Sequence, residues 1–175
     1  MNANRRRLCA LIFGGAALCA AVLIVGHDGL RLNTTDSVPL GFYRLTDKEH
    51  GNYITFCPTG ADAQLMNERG YRPRGVGCAD GFEPLVKPVA ARAGDMVTIG
   101  FGGIAVNGRL LGNTVAKKQD SQHRLLPSLS RGNYPVQVGT VWVLSTYNPM
   151  SYDSRYFGAV PTERIISYAK PIWTF

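Results

Sequence analysis

Two stretches of the chain hold the residue types that nucleophilic catalysis needs. Ser37 sits in Thr34-Thr35-Asp36-Ser37-Val38-Pro39-Leu40-Gly41-Phe42-Tyr43, hemmed in by a proline and a glycine. A serine hydroxyl is a weak nucleophile until a neighbouring base takes its proton. Histidine is the usual base, and the chain offers His27, His50 and His123. None of them lies in a triad motif, and no Gly-x-Ser-x-Gly elbow occurs. Lysine is the other candidate, provided it is neutral at working pH. Lys87 lies in Pro84-Leu85-Val86-Lys87-Pro88-Val89-Ala90-Ala91, a stretch that contains no acid. Turned into an apolar site, its amine would lose hydration and its pKa would fall. A strand lysine ordinarily points into water instead, so the local residues permit a base without demonstrating one.

Other chemistries are poorly served. Cys57, Cys78 and three scattered histidines form no zinc-ligand spacing, so no metal is expected. Gly103 and Gly108 have phosphate-loop spacing, but Arg109 stands where that loop needs lysine and no helix pattern follows. The formal net charge is +7, with Arg5, Arg6 and Arg7 contributing three of the positive charges. The rest is spread without the basic stripe that phosphate neutralisation requires, which argues against a nucleic-acid partner.

The elements that must position Ser37 and Lys87 begin with a membrane segment. Leu8 to Val25 is a run of 18 residues without charge or proline, enough at 1.5 Å per residue to cross a bilayer core of about 30 Å. Arg5–Arg7 before it would stay cytoplasmic, so residues 27–175 are expected outside the cytoplasm. The run is longer than a usual signal-peptide core, which favours an anchor over residues 1–26, with a cleaved signal as the alternative. Either way the domain is exported. An oxidising compartment permits a Cys57–Cys78 bridge. Two unpaired buried thiols are the other reading.

The 175 residues fit one domain plus this appendage. Glycine (20) and proline (10) are frequent and long helical patterns are rare, which favours strands joined by tight turns. Strands are expected at residues 41–45, 53–57, 84–91, 96–101, 139–146 and within 164–175. His27 to Asp36 reads as an extended connector. Residues 57–84 read as an insertion with one short helix near Ala61–Arg69, and residues 112–138 as a long loop. Asn107-Gly108 between apolar runs predicts a two-residue hairpin, because both positions tolerate positive φ.

With these residues in view, a resemblance emerges. "DSVPLGFY", "KPVAARAGD", "VNG" and "SYDSRYFGAVP" follow the order of the blocks of type I signal peptidases. More specifically, the chain resembles the TraF-type peptidases of plasmid conjugative transfer over residues 35–160. The resemblance implies a mainly β, coiled antiparallel, barrel-like fold behind an N-terminal transmembrane helix, working without a cofactor. It carries the nucleophile onto Ser37 and the general base onto Lys87. The Ser37 N–H and the Thr35 hydroxyl become the oxyanion donors, although a turn hydroxyl bonded to nearby backbone is the plainer reading of Thr35. Ser151 matches a serine that hydrogen-bonds the lysine, Asp153 an acid that organises the site, and Arg155 its basic neighbour. An Asp153–Arg155 pair at i, i+2 would lie on one side of a strand, where bracing is the plainer role for Arg155.

Val38 and Pro88 depart from the commoner pattern of methionine after the serine and arginine after the lysine. Pro88 lacks a backbone donor and predicts an edge or bulged position. The implied partner is a membrane-tethered pilin precursor at the inner membrane, with components of the conjugation apparatus as further partners. The resemblance further implies a periplasmic catalytic domain and maturation that includes ring closure. The rival readings are a general signal peptidase and a non-catalytic scaffold of the transfer channel.

Overall fold

A computed structural model describes residues 29–46 and 51–175. The apolar run Leu8–Val25 and the histidines His27 and His50 lie outside the described residues. Among the described residues no helix is long and apolar enough to cross a membrane.

The described residues form eleven strands and two short α-helices. The strands are β1 (Leu30–Asn33), β2 (Gly41–Thr46), β3 (Tyr53–Phe56), β4 (Leu85–Arg92), β5 (Met96–Gly100), β6 (Gly103–Val106), β7 (Arg109–Leu110), β8 (Gly132–Pro135), β9 (Thr140–Val143), β10 (Val160–Pro161) and β11 (Ile165–Thr174). The helices are α1 (Gly60–Glu68) and α2 (Ser154–Phe157). Seven strands pair in the order β1-β2-β11-β3-β4-β9-β10, and four in the order β7-β6-β5-β8. Every pairing is antiparallel. The result is mainly β, as the turn-rich sequence predicts, and curled, as the family resemblance implies.

Tertiary pairing overrode the sequence pattern at two places, while Pro88 lies beside a register shift, in keeping with the second of its two expected positions. Leu30–Asn33, read as part of a connector, is a strand in register with β2 from Leu30–Arg44 to Asn33–Gly41. Within the stretch read as a loop, Gly132–Pro135 pairs with β5, with Val97 opposite Tyr134. Its Gly-Asn-Tyr-Pro composition is that of a turn, and only the partner strand makes it β. Pro88 is on neither edge, since β4 lies between β3 and β9. It survives there because the β9 ladder is irregular between Val89 and Ala91, while Pro88 O still accepts from Leu144 N–H at 3.1 Å. The hairpin at Asn107-Gly108 forms as the residues dictate, with φ of 50° and 81°.

The core divides between the sheets. Ile54, Phe56, Val141, Val143, Val160 and Tyr168 pack the large sheet. Val97, Ile104, Val136, Trp142 and Leu144 join it to the small one. Val38, Tyr43, Val86 and Ala169 form a third cluster beside the first strands. Fully burying side chains of this size contributes about 1.5–3 kcal/mol each. The insertion after β3 is closed by a Cys57–Cys78 disulfide across a separation of 21 residues. A loop of that size is worth about 3 kcal/mol by chain-entropy reasoning. Arg72 braces it from inside, donating to Asp80 Oδ2 at 2.7 Å and to Glu83 O at 3.1 Å.

Candidate active site

Ser37 and Lys87 are 50 residues apart in sequence and meet across the curl of the large sheet. β2 and β4 are separated by β11 and β3. In a flat sheet three steps of about 4.8 Å would hold them roughly 14 Å apart. Curvature, together with the β1–β2 loop, closes that gap. Val38 is 1% exposed and packs in one cluster with Val86, so the residues beside the serine and the lysine pin the two together. Gly41 lets the loop turn into β2: a Cβ there would stand 2.1 Å from Trp173 O.

Lys87 is 2% exposed. Its Nζ lies 2.6 Å from Ser37 Oγ and 2.7 Å from Ser151 Oγ, and the two hydroxyls are 3.3 Å apart. Burial pushes the amine down to about 8 from 10.5, the Asp153 carboxylate opposes this, and the Arg155 guanidinium adds to it. Desolvation wins because the two nearby charges are opposite and already spent on each other. The local acid-free stretch therefore does become an apolar seat for the lysine.

Asp153 and Arg155 form a buried pair with both side chains fully out of solvent. It is bidentate, Nε to Oδ1 and Nη2 to Oδ2, each at 2.8 Å. The pair does not lie along a strand, contrary to the i, i+2 expectation. Asp153 caps α2, its Oδ1 accepting the Arg155 backbone N–H at 3.1 Å. Asp-Ser-Arg-Tyr-Phe thus carries an N-cap signal that a strand reading passes over. Arg155 also donates to Ser151 O at 2.8 Å and Pro149 O at 2.9 Å, fixing the backbone that presents Ser151. Asp153 Oδ2 accepts from Ser145 N–H at 2.9 Å, tying this loop to the end of β9. Asp153 and Arg155 make no direct contact with Ser37.

Thr35 lies beside the cleft with its hydroxyl donating to Asn33 Oδ1 at 2.9 Å. Asn33 escapes the sequence reading, although an Asn two residues before a turn hydroxyl is a known loop-forming signal. Tyr43 is the second residue passed over: it is fully buried, and its hydroxyl donates to Pro39 O at 2.8 Å. A cleft of about 240 Å³ opens at the serine and is lined by Asn33, Thr35, Ser37, Lys87 and Ser151. Its far wall is built from Met66 and Tyr71 of the insertion and Asp120 and Leu126 of the segment before β8. Tyr71 donates to Asp120 Oδ2 at 2.5 Å, and Arg69 to Leu125 O at 2.9 Å, so the wall holds together. Cys57 and Cys78 contribute to the wall only through the fold.

A buried amine facing a serine hydroxyl, with a second hydroxyl on the amine, can deprotonate that serine without a histidine. The family model described as signal peptidase, peptidase S26, matches residues 8–174. The chain belongs to this signal peptidase family. It is 35% identical to plasmid transfer protein TraF of Escherichia coli over 95% of this chain and 90% of that one. It is 34% identical to conjugal transfer protein TraF of Agrobacterium tumefaciens (strain 15955) over 98% of each. A signal peptidase I structure from Enterococcus faecalis V583 is similar at 18% identity, with a TM-score of 0.38 over 71% of this chain and 97% of that one. Membership in the signal peptidase family implies serine peptidase activity.

Proposed function

We propose that the chain is a membrane-anchored Ser/Lys peptidase that matures the pilin precursor of a conjugative transfer system and closes the product into a ring. The observation that carries this reading is the buried Lys87 amine, 2.6 Å from Ser37 Oγ and brought down to about 8. Neutral Lys87 takes the Ser37 proton as Oγ attacks the scissile carbonyl. The Ser37 N–H and the Thr35 hydroxyl hold the tetrahedral oxyanion. Lys87 then passes its proton to the departing amine, leaving an acyl-serine. Ser151 holds the amine from beside the nucleophile, its hydroxyl 3.3 Å from that of Ser37, and Arg155 holds Ser151. No cofactor takes part.

The acyl-enzyme needs a second nucleophile. Water gives a linear product, and the substrate's own N-terminal amine gives a ring. A tethered amine reaches effective concentrations far above that of any free peptide, which favours ring closure where the ends can meet. The relatives named as conjugal and plasmid transfer proteins support the choice of substrate. Leu8–Val25 supports an inner-membrane anchor, and Arg5–Arg7 a periplasmic active site.

The test is to incubate the full chain with its pilin precursor and weigh the product. A ring is lighter by one water than the linear hydrolysis product, and a linear mass would sink the cyclisation claim. Ser37→Ala, Lys87→Ala and Lys87→Arg should each abolish processing, since arginine keeps the charge but cannot serve as a neutral base. Processing that survives Ser37→Ala would return the chain to a scaffold role.

A further inference from the structure

Asn33 ends β1 at 4% exposure, and its carboxamide faces the loop that carries Ser37. Nδ2 donates to Thr35 O at 2.8 Å and to Val38 O and Pro39 O at 3.2 Å each. Oδ1 accepts from Thr35 N–H at 3.3 Å and from Thr35 Oγ at 2.9 Å. The three carbonyls decide which end of the amide is which, because only the NH₂ end can serve acceptors. The end toward the Thr35 hydroxyl is therefore an oxygen, and Thr35 must be the donor in that bond. A hydroxyl has one proton to give. While Asn33 holds it, Thr35 cannot offer it to an oxyanion.

We propose that Asn33 is a positioning residue for Thr35: it fixes the threonine backbone and parks its hydroxyl proton until a developing oxyanion takes it. This rests on the serine-peptidase reading above. Three of the five contacts end on Thr35, so the carboxamide acts mainly through that residue. Parking also has a physical rationale. A free hydroxyl at the cleft wall would be an unsatisfied donor in a dehydrated complex. A neutral amide oxygen is a weaker acceptor than an alkoxide-like oxyanion, so the proton transfers its allegiance only as charge develops. Such an interaction favours the transition state over the bound substrate. Tyr43 offers a contrast, because its hydroxyl anchors the same loop at Pro39 O without touching Thr35.

The test is a double-mutant cycle on the full chain in detergent micelles, with the p-nitrophenyl ester of N-acetylalanine as acylating probe. Steady-state kcat and KM are measured for wild type, Ser37→Ala, Thr35→Val, Asn33→Ala, Tyr43→Phe, and Thr35→Val combined with each of the last two. Thermal unfolding confirms that each variant is folded. Thr35→Val should lower kcat by about 10². Asn33→Ala should lower kcat by about 10–10²-fold with KM held within about twofold, the signature of a misplaced catalytic group. The Asn33→Ala/Thr35→Val protein should be no slower than Thr35→Val alone, within about threefold, because the two residues act as a unit. The Tyr43→Phe loss should instead multiply with that of Thr35→Val. If Asn33→Ala unfolds, Asn33→Asp runs the same cycle, keeping the acceptor but losing the donor. Multiplying losses for Asn33 and Thr35, or a wild-type kcat in Asn33→Ala, would overturn the proposal and leave Asn33 a loop brace. Turnover that survives Ser37→Ala, or none in wild type, would take down the serine-peptidase reading itself, a result separable from the cycle.

Discussion

Lys87 shows how a residue can be set for chemistry at a cost to the fold. Its amine stands at about 8 in the folded chain against 10.5 when free. At about 1.4 kcal/mol for each tenfold change in a protonation equilibrium, that difference corresponds to about 3 kcal/mol. The sign follows from which state holds the proton more tightly. Below pH 8 the lysine is protonated in both states and the folded chain bears the whole penalty. Between about 8 and 10.5 the unfolded chain binds the extra proton, so stability rises with pH and the penalty disappears. Lys87→Met should therefore be inactive yet more stable at pH 7 by up to about 3 kcal/mol, less the hydroxyl partners lost at Ser37 and Ser151. Its advantage should vanish by pH 10.5, as read by denaturant unfolding across that range. In wild type, kcat/KM should rise through about pH 8 and level off, because only the neutral amine can act as base. A profile falling through that window would exclude Lys87 as the base. The sequence showed an apolar stretch around Lys87 and no acid in it; what it could not show is which face of β4 turns inward, because that depends on strands 50 residues away.

At the scale of elements, the loop from β9 to α2 is the part that the sequence described least well. Asp153 and Arg155 were identifiable as a pair, but their geometry belongs to a helix cap, and the four residues of α2 are too few to leave a periodic signature. The hairpin at Asn107-Gly108 lies at the other extreme, since its turn chemistry is entirely local. β8 fell between them, a strand made by its partner rather than by its residues. The buried pair also carries a prediction. Asp153→Asn leaves the Arg155 guanidinium without its counter-charge inside the protein, which should cost about 3–5 kcal/mol in unfolding free energy. Because Asp153 raises the Lys87 pKa and Arg155 lowers it, the surviving cation should push the amine further down. In the fraction that remains folded, the rising limb of kcat/KM should therefore sit below that of wild type. A limb displaced upward would mean that the pair does not reach Lys87 electrostatically.

At the scale of the whole molecule, the cleft is assembled from parts that are remote in sequence. The serine loop comes from the first two strands, the lysine from the strand after the disulfide-closed insertion, and the far wall from that insertion and the segment before β8. Only the order of the motifs revealed this in advance, because neither the curl of the sheet nor the packing of Val38 on Val86 has a local signal. The first described strand begins at Leu30, five residues after the apolar run Leu8–Val25 ends, and Ser37 follows at once on the loop after β1. If Leu8–Val25 is the membrane anchor proposed above, so short a separation in sequence would confine the cleft to the layer where a membrane-held peptide emerges, and confinement of this kind acts as a local concentration. Placing a rigid helical spacer of 20 residues between Val25 and Asp28 would lift the domain by about 30 Å. Processing of a precursor embedded in the same vesicle should then fall at least tenfold, whereas hydrolysis of a soluble ester by the same protein should not change. Equal loss on both substrates would show that the spacer had damaged the site. Equal retention would show that the serine does not depend on its height above the bilayer, and that the substrate must leave the membrane to reach it.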